Sequence, residues 1–211
     1  MIHVDKHPKP QILVDNEAPW TAEYLDALAA GGAIPDAIRY RYRHADVKAA
    51  LRAEAFGKCV YCEARIPVGE TDHFRPVVGF PAEIVMWVNL LLACKECNTN
   101  KGSYYSDQEP LINPSIDDPL DDIFFFGPMA HPRNGSAKGL RTIQRLRLER
   151  IELFQARAER IRKLRPLIQE WRLQQEGPTK ELLKATILEE AGADREYSAL
   201  VRTYLFQECG W

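Results

Sequence analysis

Long apolar segments are missing from the sequence: no run reaches about 18 apolar residues, the length that a membrane-spanning helix requires. The N-terminal residues MIHVDKHPKP also lack the apolar stretch of a secretory signal peptide. We therefore expect a soluble, cytoplasmic protein without a membrane partner. The 211 residues suffice for one sizeable core, or for a small core with a helical extension, but not for two full domains.

An overall basic charge is missing as well. The formal net charge is −2 at pH 7, whereas a protein that neutralises nucleic-acid phosphates by itself is normally basic. The charge is nevertheless segregated along the chain. Residues 138–172 contain eleven Lys or Arg and four Glu, and residues 106–122 contain six Asp or Glu and no basic residue. Local basic surfaces are therefore compatible with the acidic total.

Cysteine is scarce, and its spacing is informative. Four of the five cysteines form two Cys-x-x-Cys pairs separated by 31 residues, Cys59 with Cys62 and Cys94 with Cys97. In a reducing compartment such pairs more often bind metal than form disulfides. The pattern predicts a structural Zn²⁺ with four thiolate ligands and no open position for water; the alternative is four unrelated buried cysteines.

Polar residues suited to phosphodiester hydrolysis lie between and just after the cysteine pairs. His73 is the candidate general base, since an imidazole with a pKa of about 6.5 accepts a proton at neutral pH. Asp72 and Asn98 offer hard oxygen ligands, which suit Mg²⁺ or Mn²⁺ better than a catalytic zinc. Each has a simpler interpretation as a turn or cap residue. Lys101, one turn after Asn98, is expected to face the phosphate backbone.

Taken together, Cys-x-x-Cys, Asp72-His73, Asn89-Leu90 and Cys-x-x-Cys-Asn98-x-x-Lys resemble the pattern of zinc-bearing HNH endonucleases. The resemblance implies a ββα-metal fold in which His73 ends the first strand and Asn98 lies on the helix. It also implies that Asn89 braces the connecting loop and helps to orient the histidine. Because the family often has His at the position of Asn98, the choice between Mg²⁺ and Mn²⁺ stays open. Arg75 is a weaker candidate for a phosphate or partner contact.

Motifs outside this segment narrow the resemblance. MIHVDK, Gly57-Lys58-Cys59-Val-Tyr-Cys62-Glu63, Leu111-Ile112-Asn113-Pro114 and the helix start at Gly139 are similar to the HNH subunit of Septu-type and retron-associated anti-phage systems. Val77 stands where family members often have Lys. Membership implies a partner ATPase of the ABC or SMC-like type. We therefore predict a defence endonuclease that cleaves nucleic acid, with DNA favoured over RNA; the alternatives are an RNA-cleaving nuclease of the same system and a non-catalytic zinc-stabilised binding module.

The expected fold class is α+β, a mainly α-helical chain with an embedded ββα-metal module. We divide it into an N-terminal arm and helices (1–57), the HNH module (58–105), an acidic, Pro-rich connector (106–139) and a C-terminal helical region (140–211). An extended arm over about the first fifteen residues is predicted. Helices are predicted at 21–30 with Thr21 as N-cap, at 36–56, at 140–176 with a break or kink at Pro166, and at about 179–190 and 194–208.

Overall fold

A computed structural model describes residues 1–211, and the chain is mainly helical with two small antiparallel sheets, which confirms the α+β class. No helix combines the length and apolarity needed to cross a membrane. The elements in chain order are α1 (Gln11–Ala29), α2 (Asp36–Arg39), α3 (Ala45–Glu54), β1 (Glu70–His73), β2 (Leu90–Ala93), α4 (Lys95–Lys101), α5 (Pro119–Asp122), β3 (Ile123–Phe126), β4 (Met129–Pro132), α6 (Ala137–Arg145), α7 (Ile151–Leu173), α8 (Pro178–Glu189) and α9 (Ser198–Cys209).

One hydrophobic core joins all four segments of the chain. It contains 39 buried residues, among them Ile2 in the N-terminal arm, Leu92 in β2, Phe125 in β3 and Leu200 in α9. The N-terminal arm docks on the body, since Val4 donates a backbone hydrogen bond to the carbonyl of Pro114. Burial of apolar surface from every segment therefore stabilises residues 58–105 and their surroundings together.

The first helix is longer than predicted. Helix α1 begins at Gln11, ten residues before the expected N-cap Thr21, and Pro19 lies inside it. A proline in a helix lacks one hydrogen-bond donor, so packing must stabilise the first turns. Leu13 in those turns is fully buried, and the Glu17 carboxylate accepts a hydrogen bond from the backbone of Trp87 at 3.2 Å.

The single helix predicted at 36–56 is two helices. Helix α2 ends at Arg39, a 3₁₀ turn covers Arg41–Arg43, and α3 starts at Ala45. The His44 side chain accepts a hydrogen bond from the Asp46 amide and so caps α3. The break brings Tyr42 against the ring of His73.

Strands β1 and β2 and helix α4 form the predicted ββα arrangement. The strands pair antiparallel, with Asp72 opposite Leu91 and His73 opposite Leu90. Strand β2 is buried along its whole length, and α4 follows directly with Cys94 as its N-cap. The connecting residues 74–89 contain two 3₁₀ turns and no further strand.

The connector contains a hairpin that the sequence analysis did not predict. Strands β3 and β4 pair antiparallel across a turn at Gly127, and Ile123 and Phe125 are buried whereas Phe126 is exposed. This alternation is the period of a half-buried strand, but it spans only four residues.

The long C-terminal helix breaks at residues 146–150 instead of at Pro166, which lies inside α7. Arg147 adopts a left-handed conformation, Leu148 N–H donates to the carbonyl of Ile143, and Arg147 N–H donates to that of Gln144. These bonds form a Schellman motif, which ends α6. Leu146 and Leu148 are both buried, which a continuous helix cannot arrange for residues two apart.

Candidate active site and metal centre

The four paired cysteines converge on one point. The sulfur atoms of Cys59, Cys62, Cys94 and Cys97 all lie within 4.8 Å of one another. Cys62 Sγ and Cys94 Sγ are 3.9 Å apart, close to the roughly 3.8 Å expected for two thiolates on one tetrahedral zinc. The Cys97 amide donates to Cys94 Sγ at 3.4 Å, so the second pair is already folded as a metal-binding turn. The donor set and geometry fit a structural Zn²⁺.

A positive charge that the sequence analysis did not identify lies beside the cysteines. Arg150 approaches Cys97 Sγ with one guanidinium nitrogen at 3.6 Å, and its Nε is 3.0 Å from the Glu96 carboxylate. Four thiolates around one Zn²⁺ carry a net charge of −2, which a guanidinium partly compensates. Arg150 immediately precedes α7, so the break between α6 and α7 places it here.

His73 ends β1 and lines an open cleft. Its Nε2–H donates to the carbonyl of Ile84 at 2.7 Å, which leaves Nδ1 as the unprotonated nitrogen of the neutral ring. Tyr42 packs its ring edge to face against the imidazole, with the centroids 4.6 Å apart. Burial lowers the pKa of His73, although the Ile84 carbonyl and the Asp72 charge oppose the shift. The neutral, proton-accepting form is therefore favoured at neutral pH.

Asn98 meets a carboxylate that the sequence analysis missed. Its Nδ2 donates to Glu70 Oε2 at 2.7 Å. Glu70 and Asp72 are two residues apart in β1, so both side chains project from the same face of the hairpin. Two carboxylates and one carboxamide thus line the same cleft as His73. A Glu two residues before Asp72 on a predicted strand was the signal that could have identified it.

Asp72 and Lys101 form a buried ion pair. Lys101 Nζ lies 3.0 Å from Asp72 Oδ1 and donates to the His73 carbonyl at 2.6 Å. The Tyr61 hydroxyl donates to Asp72 Oδ2 at 2.5 Å. Burial, together with the Asp72 charge, raises the pKa of Tyr61 and keeps that hydroxyl protonated.

These contacts change the role expected for Lys101. A phosphate contact requires an accessible ammonium, but the Lys101 side chain is 1% exposed. Its donors point at Asp72 and at the His73 backbone instead. Lys101 therefore ties the C-terminal end of α4 to β1 and does not reach toward solvent.

Asn89 and Arg75 interact with each other behind His73. Asn89 Oδ1 accepts from the Arg75 amide at 2.7 Å, and its Nδ2 donates to the Arg75 carbonyl at 2.9 Å. The buried amide thus braces the loop that follows His73. The Arg75 guanidinium instead pairs with Glu83 at 2.6 Å, stacks over the Phe80 ring and lines a separate cavity. Arg75 therefore does not line the His73 cleft, and its expected phosphate or partner contact stays a prediction.

The cleft has a volume of about 630 Å³ and a lining of chemically different side chains. The ββα module contributes Glu70, Asp72, His73 and Asn98. Residues 42–48 contribute Tyr42, Arg43 and Lys48 to the lining of the same cleft. Cationic and acidic side chains in one cleft suit a phosphate together with a bound cation.

Comparison with known proteins finds similarity over much of the chain. Septu protein PtuB of Bacillus thuringiensis is 33% identical over 156 residues, which cover 72% of the chain and 56% of that protein. Septu protein PtuB of Bacillus mycoides is 30% identical over 152 residues, covering 56% of the chain and 52% of that protein. Protein ea31 of Escherichia phage lambda is 38% identical over 74 residues, which cover 32% of the chain and 23% of that protein.

The chain spans about half the length of the PtuB relatives that it matches, at 56% and 52% of their residues. No protein-family model matches the chain.

Proposed function

From the premise that the chain is a homologue of Septu protein PtuB, we propose that it is a metal-dependent HNH endonuclease, the nuclease component of an anti-phage defence system. One observation carries the proposal. His73, which has one unprotonated ring nitrogen, lines the same cleft as Glu70 and Asn98, whose side chains are hydrogen-bonded to each other. All three residues belong to the ββα module that carries the four-cysteine site. A base and hard oxygen ligands are the groups that phosphodiester hydrolysis requires.

The two metals have separate roles in this proposal. Zinc held by the four cysteines supplies folding energy, because it fixes the turn before β1 to the start of α4. Glu70, Asp72 and Asn98 would hold a hard cation, Mg²⁺ or Mn²⁺. Asp72 keeps acceptor capacity beside its two hydrogen bonds, since a carboxylate offers about four lone-pair sites. When bound, this cation supplies charge stabilisation for the phosphate and the leaving oxygen.

The protein side chains move one proton and fix the geometry. Nδ1 of His73 takes a proton from water as the water oxygen bonds to phosphorus and the bond to the leaving oxygen breaks. The Ile84 carbonyl holds the tautomer that leaves Nδ1 free. Lys101 and Asn89 are positioning residues, because Lys101 bonds the His73 carbonyl and Asn89 bonds the backbone of Arg75, two residues later.

We further propose DNA as the favoured substrate and an ABC or SMC-like ATPase as the partner. The net charge of −2 supports a partner, because the chain alone presents no overall basic surface to a long polyanion. RNA offers the same phosphodiester, so cleavage of RNA is the alternative to be tested beside DNA. A zinc-stabilised module that binds without cutting is the non-enzymatic alternative.

The test compares plasmid DNA and RNA as substrates for the full zinc-loaded chain, with and without the partner ATPase, at increasing Mg²⁺ or Mn²⁺. We expect divalent-dependent cleavage that falls about 10²- to 10⁴-fold in His73→Ala. His7→Ala is the matched control, since the His7 side chain is exposed and lies outside the cleft. Equal rates for His73→Ala and the unaltered chain would remove His73 from the mechanism. Binding without cleavage under every condition would favour the non-enzymatic module.

A further inference from the structure

A second cavity, lined mainly by aromatic and apolar side chains, adjoins His73. Its volume is about 360 Å³, within the roughly 300–1,000 Å³ typical of ligand pockets. The lining includes Tyr24, Leu28, Tyr40, Pro81 and Ile84. Tyr42 and His73 line both this cavity and the catalytic cleft, so the two cavities adjoin each other. We call this second cavity the tyrosine pocket.

Two arginines lie at the tyrosine pocket: Arg39 is in its lining, and Arg43 lies over the Tyr40 and Tyr42 rings. The sequence here alternates Arg and Tyr from Arg39 to Arg43, and both terminal arginines are exposed. The Arg43 guanidinium lies 4.1 Å from the Tyr40 ring centroid. Only the middle arginine, Arg41, has a carboxylate partner, Glu23 at 2.5 Å. Aromatic rings interleaved with free guanidinium groups are the composition of surfaces that bind single-stranded nucleic acid.

We propose that the tyrosine pocket binds one unpaired base of the nucleic-acid strand, adjacent to the phosphate in the catalytic cleft. This inference rests on the proposed nuclease function and narrows its substrate to strands with single-stranded or unpaired nucleotides at the cleavage site. A base in an intact duplex is stacked and paired, so it enters a side pocket only at a cost in unstacking energy. We expect a strand whose phosphate lies in the catalytic cleft to place its neighbouring base beside Tyr42 and His73, because these two residues line both cavities.

The binding test needs no cleavage, so it uses the full zinc-loaded chain without added Mg²⁺ or Mn²⁺. The probes are a short DNA strand with a single 2-aminopurine, the same strand annealed to its complement, and the matching RNA strand. We expect a single strand of DNA or RNA to bind at least about fivefold more tightly than the duplex, with a change in 2-aminopurine fluorescence on stacking.

Variants at Tyr40 separate stacking from packing. Tyr40→Leu keeps an apolar side chain but removes the ring, and we expect it to weaken single-strand binding at least about fivefold. Tyr40→Phe keeps the ring and is expected to bind as the unaltered chain does. Phe206→Leu is the matched control, because Phe206 is 70% exposed on α9 and lines neither cavity. Unchanged affinity in Tyr40→Leu, or equal affinity for single strand and duplex, would overturn the inference.

Cleavage assays distinguish this inference from the function on which it rests. A chain that cuts duplex and single strands at equal rates with Mg²⁺, with no effect of Tyr40→Leu, is a nuclease without a base pocket. A chain that binds the single strand through Tyr40 but cuts nothing, even with its partner, has the pocket and lacks the proposed function.

Discussion

Replacement of Lys101 tests how the catalytic strand is held in place. The Lys101 and Asp72 side chains are 1% and 4% exposed, and the ammonium also bonds the His73 carbonyl. Lys101→Met keeps the apolar stem but leaves the Asp72 carboxylate with Tyr61 as its remaining partner. Removing one member of a buried ion pair costs about 3–5 kcal/mol, because the other charge stays buried without compensation. We expect a loss of this size in the free energy of unfolding.

The assay is urea unfolding at constant excess zinc, so that metal release does not alter the reference state. Lys95→Met is the matched control, since Lys95 is exposed on the same helix and should change stability by at most about 0.5 kcal/mol. The double variant Lys101→Met with Asp72→Asn should recover at least about 1 kcal/mol relative to the sum of the two single effects. A loss of stability below about 1 kcal/mol for Lys101→Met would refute the buried-pair reasoning.

Three further predictions follow from the same structure. Metal analysis should find about one tightly bound zinc per chain. Arg150→Met should weaken the zinc affinity about 10- to 100-fold in a chelator competition, because the guanidinium lies beside Cys97. Unchanged affinity would exclude a role for the guanidinium at the thiolates. Glu70→Gln should raise the Mg²⁺ concentration for half-maximal cleavage at least about tenfold, whereas an unchanged requirement would remove Glu70 from the cation site. Gly139→Ala should lower the free energy of unfolding by about 1–3 kcal/mol in the same urea assay, because a Cβ there would collide with the Asp122 carbonyl; an unaltered midpoint would contradict that close approach.

Local spacing was sufficient to predict the four-cysteine site, and short motifs carried the family resemblance that implies the ββα arrangement. Two Cys-x-x-Cys pairs specify a four-thiolate site whatever the rest of the chain does, and the structure brings all four sulfurs together. The resemblance to HNH endonucleases implied that His73 ends a strand and that Asn98 lies on the following helix, and both residues are found there. Such predictions depend on neighbours along the chain and not on distant contacts.

The cleft residues that come from positions 42–48 could not be predicted in this way. Tyr42 packs against His73, and Arg43 lines the same cleft, because the predicted helix at 36–56 is interrupted at the 3₁₀ turn. Helix periodicity does not reveal this interruption. For Lys101 the sequence predicts the helix but not the surroundings of the side chain. Its position one turn after Asn98 is compatible with solvent or with the hairpin, and the buried acceptors at Asp72 and His73 decide between them.

The structural zinc and the proposed cation site are mechanically coupled through α4. Cys97 binds at the zinc site, and Asn98, the next residue, contacts Glu70 across the hairpin at 2.7 Å. At the other end of the helix Lys101 anchors Asp72 and the His73 backbone. A seven-residue helix is too short to be stable alone, so its placement depends on these anchors. Loss of zinc should therefore disorganise the oxygen ligands before the hydrophobic core unfolds, because β2 stays buried in the core that the rest of the chain supplies.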